Sequence, residues 1–202
     1  MSNASPLRAS FTTRHLVTCL AGFGALALAA APAVAEPRNG PPRYGTTFGF
    51  GLGVGHLACE DADGNDCGGP GNLPAGGLSV RVGQLIGPGS EVSGELWGMT
   101  HSEDAGSVSQ VILAGQFRGW VVPRLWLQGG LGIARSSSEY NTGVGTIYSE
   151  SDIVPAAVVG VGTEIVSDPG FAVDLELKAG AGLYQDNICI FNVSMGVGVS
   201  FY

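Results

Sequence analysis

The sequence predicts an all-β fold, an eight-stranded antiparallel up-and-down barrel that crosses a membrane. Three observations support this prediction. Apolar and polar residues alternate over long stretches, and short turns alternate with longer connections. The composition is also rich in Gly and poor in charge, since 34 of the 202 residues are Gly and only 13% are charged. A period of two is the side-chain spacing of a β-strand. An even number of strands, each ten or more residues long and joined in this way, is typical of a transmembrane β-barrel.

The alternation is clearest near the end of the chain. From Phe171 to Leu183 the odd positions are all apolar, whereas the even positions hold Asp174, Glu176 and Lys178 or small residues. The predicted strands span residues 44–57, 76–86, 91–101, 107–121, 124–136, 152–166, 171–184 and 188–202. Pro and Gly mark tight turns at 87–90, 122–123 and 167–170. The remaining connections, 58–75, 102–106, 137–151 and 185–187, would lie together at the other end.

The N-terminal segment has the pattern of a secretory signal peptide. Arg8 and Arg14 precede an apolar stretch over 16–31, and small residues at 33–35 form a cleavage site. A transmembrane anchor is the alternative, but the stretch falls short of the roughly 20 residues that a helix needs and is followed by Pro32. We therefore predict a cleaved signal peptide over 1–35, a periplasmic segment over 36–43 and the barrel over 44–202.

Composition separates a membrane barrel from a soluble one such as a lipocalin. A soluble barrel exposes its outer face to water, and roughly 25 to 35% of the residues on such a surface are charged. A membrane barrel has the inverse polarity, with an apolar exterior and a polar interior, and the low charged fraction favours it. The balance of 17 acidic against 9 basic residues excludes nucleic acid as a partner.

Four features of the sequence occur together: a signal peptide, eight predicted strands, an alternation of short turns and longer loops, and a terminal strand that ends in Phe201-Tyr202. In this combination the chain resembles the small outer-membrane barrels typified by the OmpA membrane domain and OmpX, over residues 44–202. The resemblance implies a location in the bacterial outer membrane and contact with its lipid and lipopolysaccharide. It also implies insertion by the barrel-assembly machinery, which reads an aromatic residue in the terminal strand. Here Phe201 continues the apolar face, so Tyr202 points to the other face.

Strand parity predicts which side chains fill the barrel. The predicted interior network comprises Arg81, Glu91, Glu95, Arg118, Glu164, Asp174, Glu176 and Lys178, with Gln110, Gln116 and Gln128 beside it. Three cations would face five anions. The interior of an eight-stranded barrel is just wide enough for side chains to fill it, so we expect a polar plug. A gated polar channel remains the alternative, because many inward glycines leave room for water.

The first long loop holds candidate disulfide and metal residues. Cys59 and Cys67 could close this loop with a disulfide, and a bridge from Cys59 to Cys189 is the alternative, since the last strand adjoins the first. Asp61, Asp63 and Asp66 surround Gly64 and form a weak candidate calcium site, because hard cations prefer carboxylate oxygens on a turning backbone. No other cofactor is expected. A solvated acidic loop is the simpler interpretation.

Signals of catalysis are few. His101 and Ser102 could suggest a lipid-A-modifying enzyme, but adjacent residues on a strand point to opposite faces. The three Trp residues, 97, 120 and 126, suit interface anchoring or interior packing better than ligand stacking. We therefore expect a non-enzymatic barrel with a structural or surface-interaction role. A narrow passive pore or small-solute transporter is the alternative, and the sequence does not predict the oligomeric state.

Overall fold

The computed structural model describes residues 44–60, 73–103, 106–141, 143–184 and 188–202, apart from the Glu60 side chain. Nine strands occur in these ranges: β1 Gly45–Glu60, β2 Leu73–Gly87, β3 Ser90–Glu103, β4 Gly106–Val122, β5 Leu125–Asn141, β6 Thr146–Glu150, β7 Val154–Ser167, β8 Phe171–Leu183 and β9 Cys189–Phe201. Within the same ranges, no helix has the length and apolar character needed to span a membrane. The predicted signal peptide and the segment 36–43 lie outside the described residues and stay predictions.

Eight long antiparallel strands close into a barrel. Each pairs with its neighbour in chain order, β5 pairs with β7 beyond the short β6, and β9 pairs with β1 to complete the ring. Phe48 on β1 and Phe201 on β9 are register partners at this closure. The predicted fold class is therefore confirmed.

The predicted loop over 137–151 is wrong in part, because it contains strand. β5 continues to Asn141, and β6 pairs with its last five residues. The turn between them includes Gly143, whose φ of 75° suits a residue without a Cβ. Thr, Ile and Tyr in this stretch favour strand structure, although the mixed polarity of the stretch hides the alternation. We call this β5–β6 extension, residues 137–150, the arm.

The two faces of the barrel wall differ in polarity. Outward side chains are largely apolar, and Leu131, for example, is 72% exposed. Eight charged side chains of the strands, among them Arg118 and Lys178, instead lie buried inside the ring. This is the polarity of a membrane barrel and the inverse of a soluble ligand-binding barrel.

Candidate functional site

The barrel interior changes character along its axis. We call the end with the three short turns the turn end and the opposite end the loop end. On β3 the inward residues run from Glu91 and Glu95 to Trp97 and Met99 as the strand approaches the loop end. The interior therefore divides into an ionic zone towards the turn end and an apolar zone towards the loop end.

The structure places every residue of the predicted network inside the barrel. Arg81, Glu91, Glu95, Arg118, Glu164, Asp174, Glu176 and Lys178 are each 7% exposed or less. These eight residues, with the neutral polar side chains that bond to them, form the ionic zone. Three cations and five carboxylates share it, so its formal charge is 3 − 5 = −2 with every group ionised.

Lys178 holds the middle of the ionic zone together. Its Nζ lies 2.6 Å from Glu95 Oε1 and 3.0 Å from Glu176 Oε1, and it donates a hydrogen bond of 2.9 Å to Ser79 Oγ. Gln116 donates to the second oxygen of Glu95. One ammonium thus bridges two carboxylates whose side chains are nearly inaccessible.

Arg81 links three strands nearer the turn end. Its Nε lies 3.0 Å from Glu91 Oε1, and its Nη2 donates to Ser200 Oγ at 2.8 Å. Ser200 in turn donates to Asp174 Oδ2 at 3.3 Å, and Thr47 donates to Glu91 at 3.1 Å. The network therefore closes across the seam between the first and last strands.

Arg118 has partners that its charge did not predict. Its guanidinium donates to Gln128 Oε1 at 2.8 and 3.2 Å and stacks 3.7 Å from the centre of the Trp126 ring. Trp126 donates to Asp174 Oδ1 at 3.0 Å, and Trp120 donates to Glu164 Oε1 at 2.7 Å. Indole N–H groups, and not cations, therefore donate to these two carboxylates. All three Trp residues are buried in the barrel, so none of them is a membrane-interface anchor.

Several buried polar atoms on the β2–β5 wall form no hydrogen bond with the described residues. They are Arg81 Nε, Glu91 Oε2, Ser93 Oγ, Gln116 Oε1, Arg118 Nη1 and Gln128 Nε2. Arg81 Nε is close enough to Glu91 for an ion pair but is not aligned for a hydrogen bond. This wall is therefore the part of the interior that water would hydrate most readily.

The apolar zone as a whole was not predicted, although interior packing was one of the two roles considered for Trp97. It consists of Leu57, Ala75, Trp97, Met99, Ile112, Ala114, Ala134, Val154, Ala156 and Val158. Packing across the lumen is tight, because a Cβ on Gly180 would come within 2.8 Å of the Trp97 ring and 2.9 Å of Ile112 Cδ1. Each of these side chains lies on the inward face of its strand, as Glu91 and Glu95 do on β3. Strand parity alone would therefore have placed them inside the barrel.

A short polar chain lies beside the apolar zone, near the loop end. Asn192 Nδ2 donates to Gln110 Oε1 at 2.8 Å, and Gln110 Nε2 donates to Tyr184 OH at 2.9 Å. Tyr184 follows the last residue of β8, and burial raises the pKa of its hydroxyl. The chain ties β4 to the β8–β9 end of the barrel.

His101 and Ser102 do not form a catalytic pair. His101 is buried and donates from Nδ1 to the Pro74 carbonyl at 2.6 Å, while its Nε2 lies 3.3 Å from Glu103 Oε1. Ser102 is exposed on the other face of the strand. His101 is therefore not placed to act as the base for the Ser102 hydroxyl.

The residues of the predicted calcium site, Asp61, Asp63 and Asp66, lie outside the described residues. In the described ranges, no group of three or more His, Cys, Asp or Glu is placed to hold a metal ion.

Cys67 also lies outside the described residues, so the Cys59–Cys67 disulfide stays a prediction. For the alternative bridge, the register pairs Cys59 with Ile190 and Cys189 with Glu60. Cys59 and Cys189 are therefore one residue out of register, with side chains directed to opposite faces. This geometry disfavours a bridge between them.

Comparisons with known proteins bear on the fold. No protein-family model matches the chain, and no curated protein matches it in sequence. Among solved structures, Ail, the attachment invasion locus protein of Yersinia pestis, matches with a TM-score of 0.59 and 12% identity over 78% of this chain and 99% of that one. Its complex with the heparin analogue sucrose octasulfate matches with a TM-score of 0.57, 15% identity and the same coverage.

Neisserial surface protein A matches with a TM-score of 0.50 and 9% identity over 76% of this chain and 96% of that one. The chain has the fold of the small eight-stranded outer-membrane barrels. At these identities the likeness extends to the fold alone.

Proposed function

We propose that the chain is a non-catalytic barrel of the bacterial outer membrane, with a structural or surface-interaction role and without steady conduction. The observation that carries this proposal is the filling of the lumen at two levels. An ion entering from the turn end would have to separate the Lys178 and Arg81 ion pairs. It would then have to enter an apolar zone, where a charge loses its hydration without compensation.

The exterior supports the membrane location. Leu52, Val54 and Leu131 are among the outward apolar side chains that are about two-thirds exposed. Soluble monomers rarely carry contiguous apolar surface of this extent. Export by a cleaved signal peptide and insertion through the C-terminal strand belong to the same proposal, as does contact with outer-membrane lipid and lipopolysaccharide.

The loop end is the surface that we expect to face the cell exterior, because outer-membrane barrels have short periplasmic turns and longer external loops. The arm projects there, with exposed Tyr140, Ile147 and Tyr148. The same end of the described structure carries Glu103, Glu139, Glu150 and Asp152 against the single cation Arg135. Ail was crystallised with a sulfated ligand, whereas this acidic end should repel polyanions.

Planar-bilayer recording of the refolded chain tests the proposal. We expect rare or brief openings at matched salt on both sides. Steady, long-lived openings selective for cations would contradict it and support the pore alternative. Two features favour that alternative, namely the excess of carboxylates and the unmatched polar atoms of the β2–β5 wall.

A further inference from the structure

The short strand β6 has a neighbour on one side only. Among the described residues it pairs with β5 alone, whereas each strand of the ring has two neighbours. The strand that would lie on its other side is β8, but β8 pairs with β7 no further than Gly182 opposite Ala156. Tyr184 N then donates to Ile188 O at 2.8 Å and closes the β8–β9 hairpin. The described part of β8 therefore stops before it reaches β6, whose outer edge it leaves open.

The backbone of β6 directs every second residue at this open edge. Ser151 N donates to Ser136 O at 2.9 Å, so Ser151 bonds towards β5. Bonding direction alternates along an antiparallel strand, so Ser149 and Ile147 also bond towards β5. The residues that instead point one N–H and one C=O each at the open edge are Thr146, Tyr148 and Glu150. Such a row of backbone groups is a template for another strand.

The side chains beside the open edge are acidic and aromatic. Tyr148 and Glu139 are register partners, as are Glu150 and Ser137, and partners share a face of the sheet. Tyr148 is 71% exposed on this face. A strand added to the edge would place every second side chain on the same face. Lys or Arg at those positions would lie beside two carboxylates and an aromatic ring, which attracts cations.

We infer that the open edge of β6 binds an extended segment of a partner protein with a basic residue at every second position. Backbone hydrogen bonds give such a complex its affinity, and alternate side chains give it specificity. The edge is only five residues long, so the basic side chains must contribute as well. A second copy of this chain would bring Glu150 against the same acidic face, and like charges on neighbouring strands are destabilising.

This binding deepens the proposed surface-interaction role and rests on it, with the loop end outward. The probe is a short peptide in which Lys and Val alternate, and the controls are its Glu–Val counterpart and a peptide of the same composition with its Lys residues consecutive. Fluorescence anisotropy measures their binding to the refolded chain in zwitterionic micelles. We expect the alternating Lys peptide to bind at least about tenfold more tightly than the Glu peptide, about 1.4 kcal/mol, and more tightly than the consecutive one. Equal affinity for any two of the three would overturn the inference.

Amide hydrogen exchange, followed by NMR, shows whether the peptide adds as a strand. The alternating Lys peptide should slow exchange at Tyr148 and Glu150 at least about tenfold, because their N–H groups would become bonded. Exchange at Ser149, which already bonds towards β5, should change less. Binding without this pattern would be a charge contact alone and would overturn the inference. Bilayer currents decide separately whether the barrel conducts, since the peptide experiment needs no bilayer.

A pair of variants at one position isolates the backbone contribution. Tyr148→Pro removes an N–H that points at the open edge but no bond to β5, and should weaken peptide binding at least about tenfold. Tyr148→Val removes the ring but keeps the N–H, and should weaken binding less. A shift in gel migration on boiling would establish that each variant is folded. Equal losses in the two variants would overturn the inference. So would a dimer of the parent chain, seen by sedimentation without peptide and lost in Tyr148→Pro, which would make a second copy the occupant.

Discussion

The ionic and apolar zones are built from the same strands but close the lumen by different physics. On β3, Glu91 and Glu95 lie in the ionic zone, and Trp97 and Met99 lie in the apolar zone. Glu95 and Trp97 are successive inward residues, so the two zones are directly adjacent. The ionic zone depends on specific partners, and removal of one leaves others buried and charged. The apolar zone depends on volume and on the exclusion of water. Variants in the two zones should therefore fail in different ways.

The largest effect is expected in the ionic zone. Lys178→Met should destabilise the barrel by about 3–5 kcal/mol, because Glu95 and Glu176 would lose the cation between them and remain buried. Urea unfolding of the refolded chain in lipid vesicles measures the change. Combining Lys178→Met with Glu95→Gln should recover part of the loss, since one unpaired charge disappears. No recovery would mean that packing, and not charge, explains the effect.

The exterior provides a second comparison. Val197→Arg should cost about 2–4 kcal/mol, because Val197 faces outward near mid-strand, opposite Leu175. The same unfolding measurement in vesicles applies. If Val197→Arg folds as stably as the parent chain, the outward face does not contact lipid.

A variant in the apolar zone tests which zone blocks ions. Ile112→Thr removes the terminal Cδ1 methyl and replaces Cγ1 with a hydroxyl, and burial of that hydroxyl alone costs about 1–3 kcal/mol. We expect a larger rise in bilayer current for Ile112→Thr than for Arg118→Ala, because a polar group admits water to the dry constriction. A rise confined to Arg118→Ala would identify the ionic zone as the barrier instead.

Sequence reasoning identified the wall of the barrel better than its contents. The alternation of apolar and polar residues on β8 and β9 predicts the strands, and the same parity places Glu176 and Lys178 on an inward face. It does not reveal which inward groups meet, because the contact of Lys178 with Glu95 depends on barrel closure between residues 83 positions apart. Met99 and Ile112 escaped prediction for another reason, since apolar residues were assigned to the outward face although the parity of these two places them inside.

The smallest effect is expected at the surface of the arm. Arg135 and Glu150 form an ion pair like that of Lys178 and Glu95, but their side chains are 53 and 60% exposed against 3 and 1% for the buried pair. Water screens an exposed pair, so Glu150→Gln should change the unfolding free energy by at most about 1 kcal/mol, and less at high salt. Urea unfolding at low and high salt, with Glu95→Gln as the buried counterpart, measures the contrast. A salt-insensitive loss of several kcal/mol in Glu150→Gln would mean that the Arg135–Glu150 pair supports the barrel wall itself.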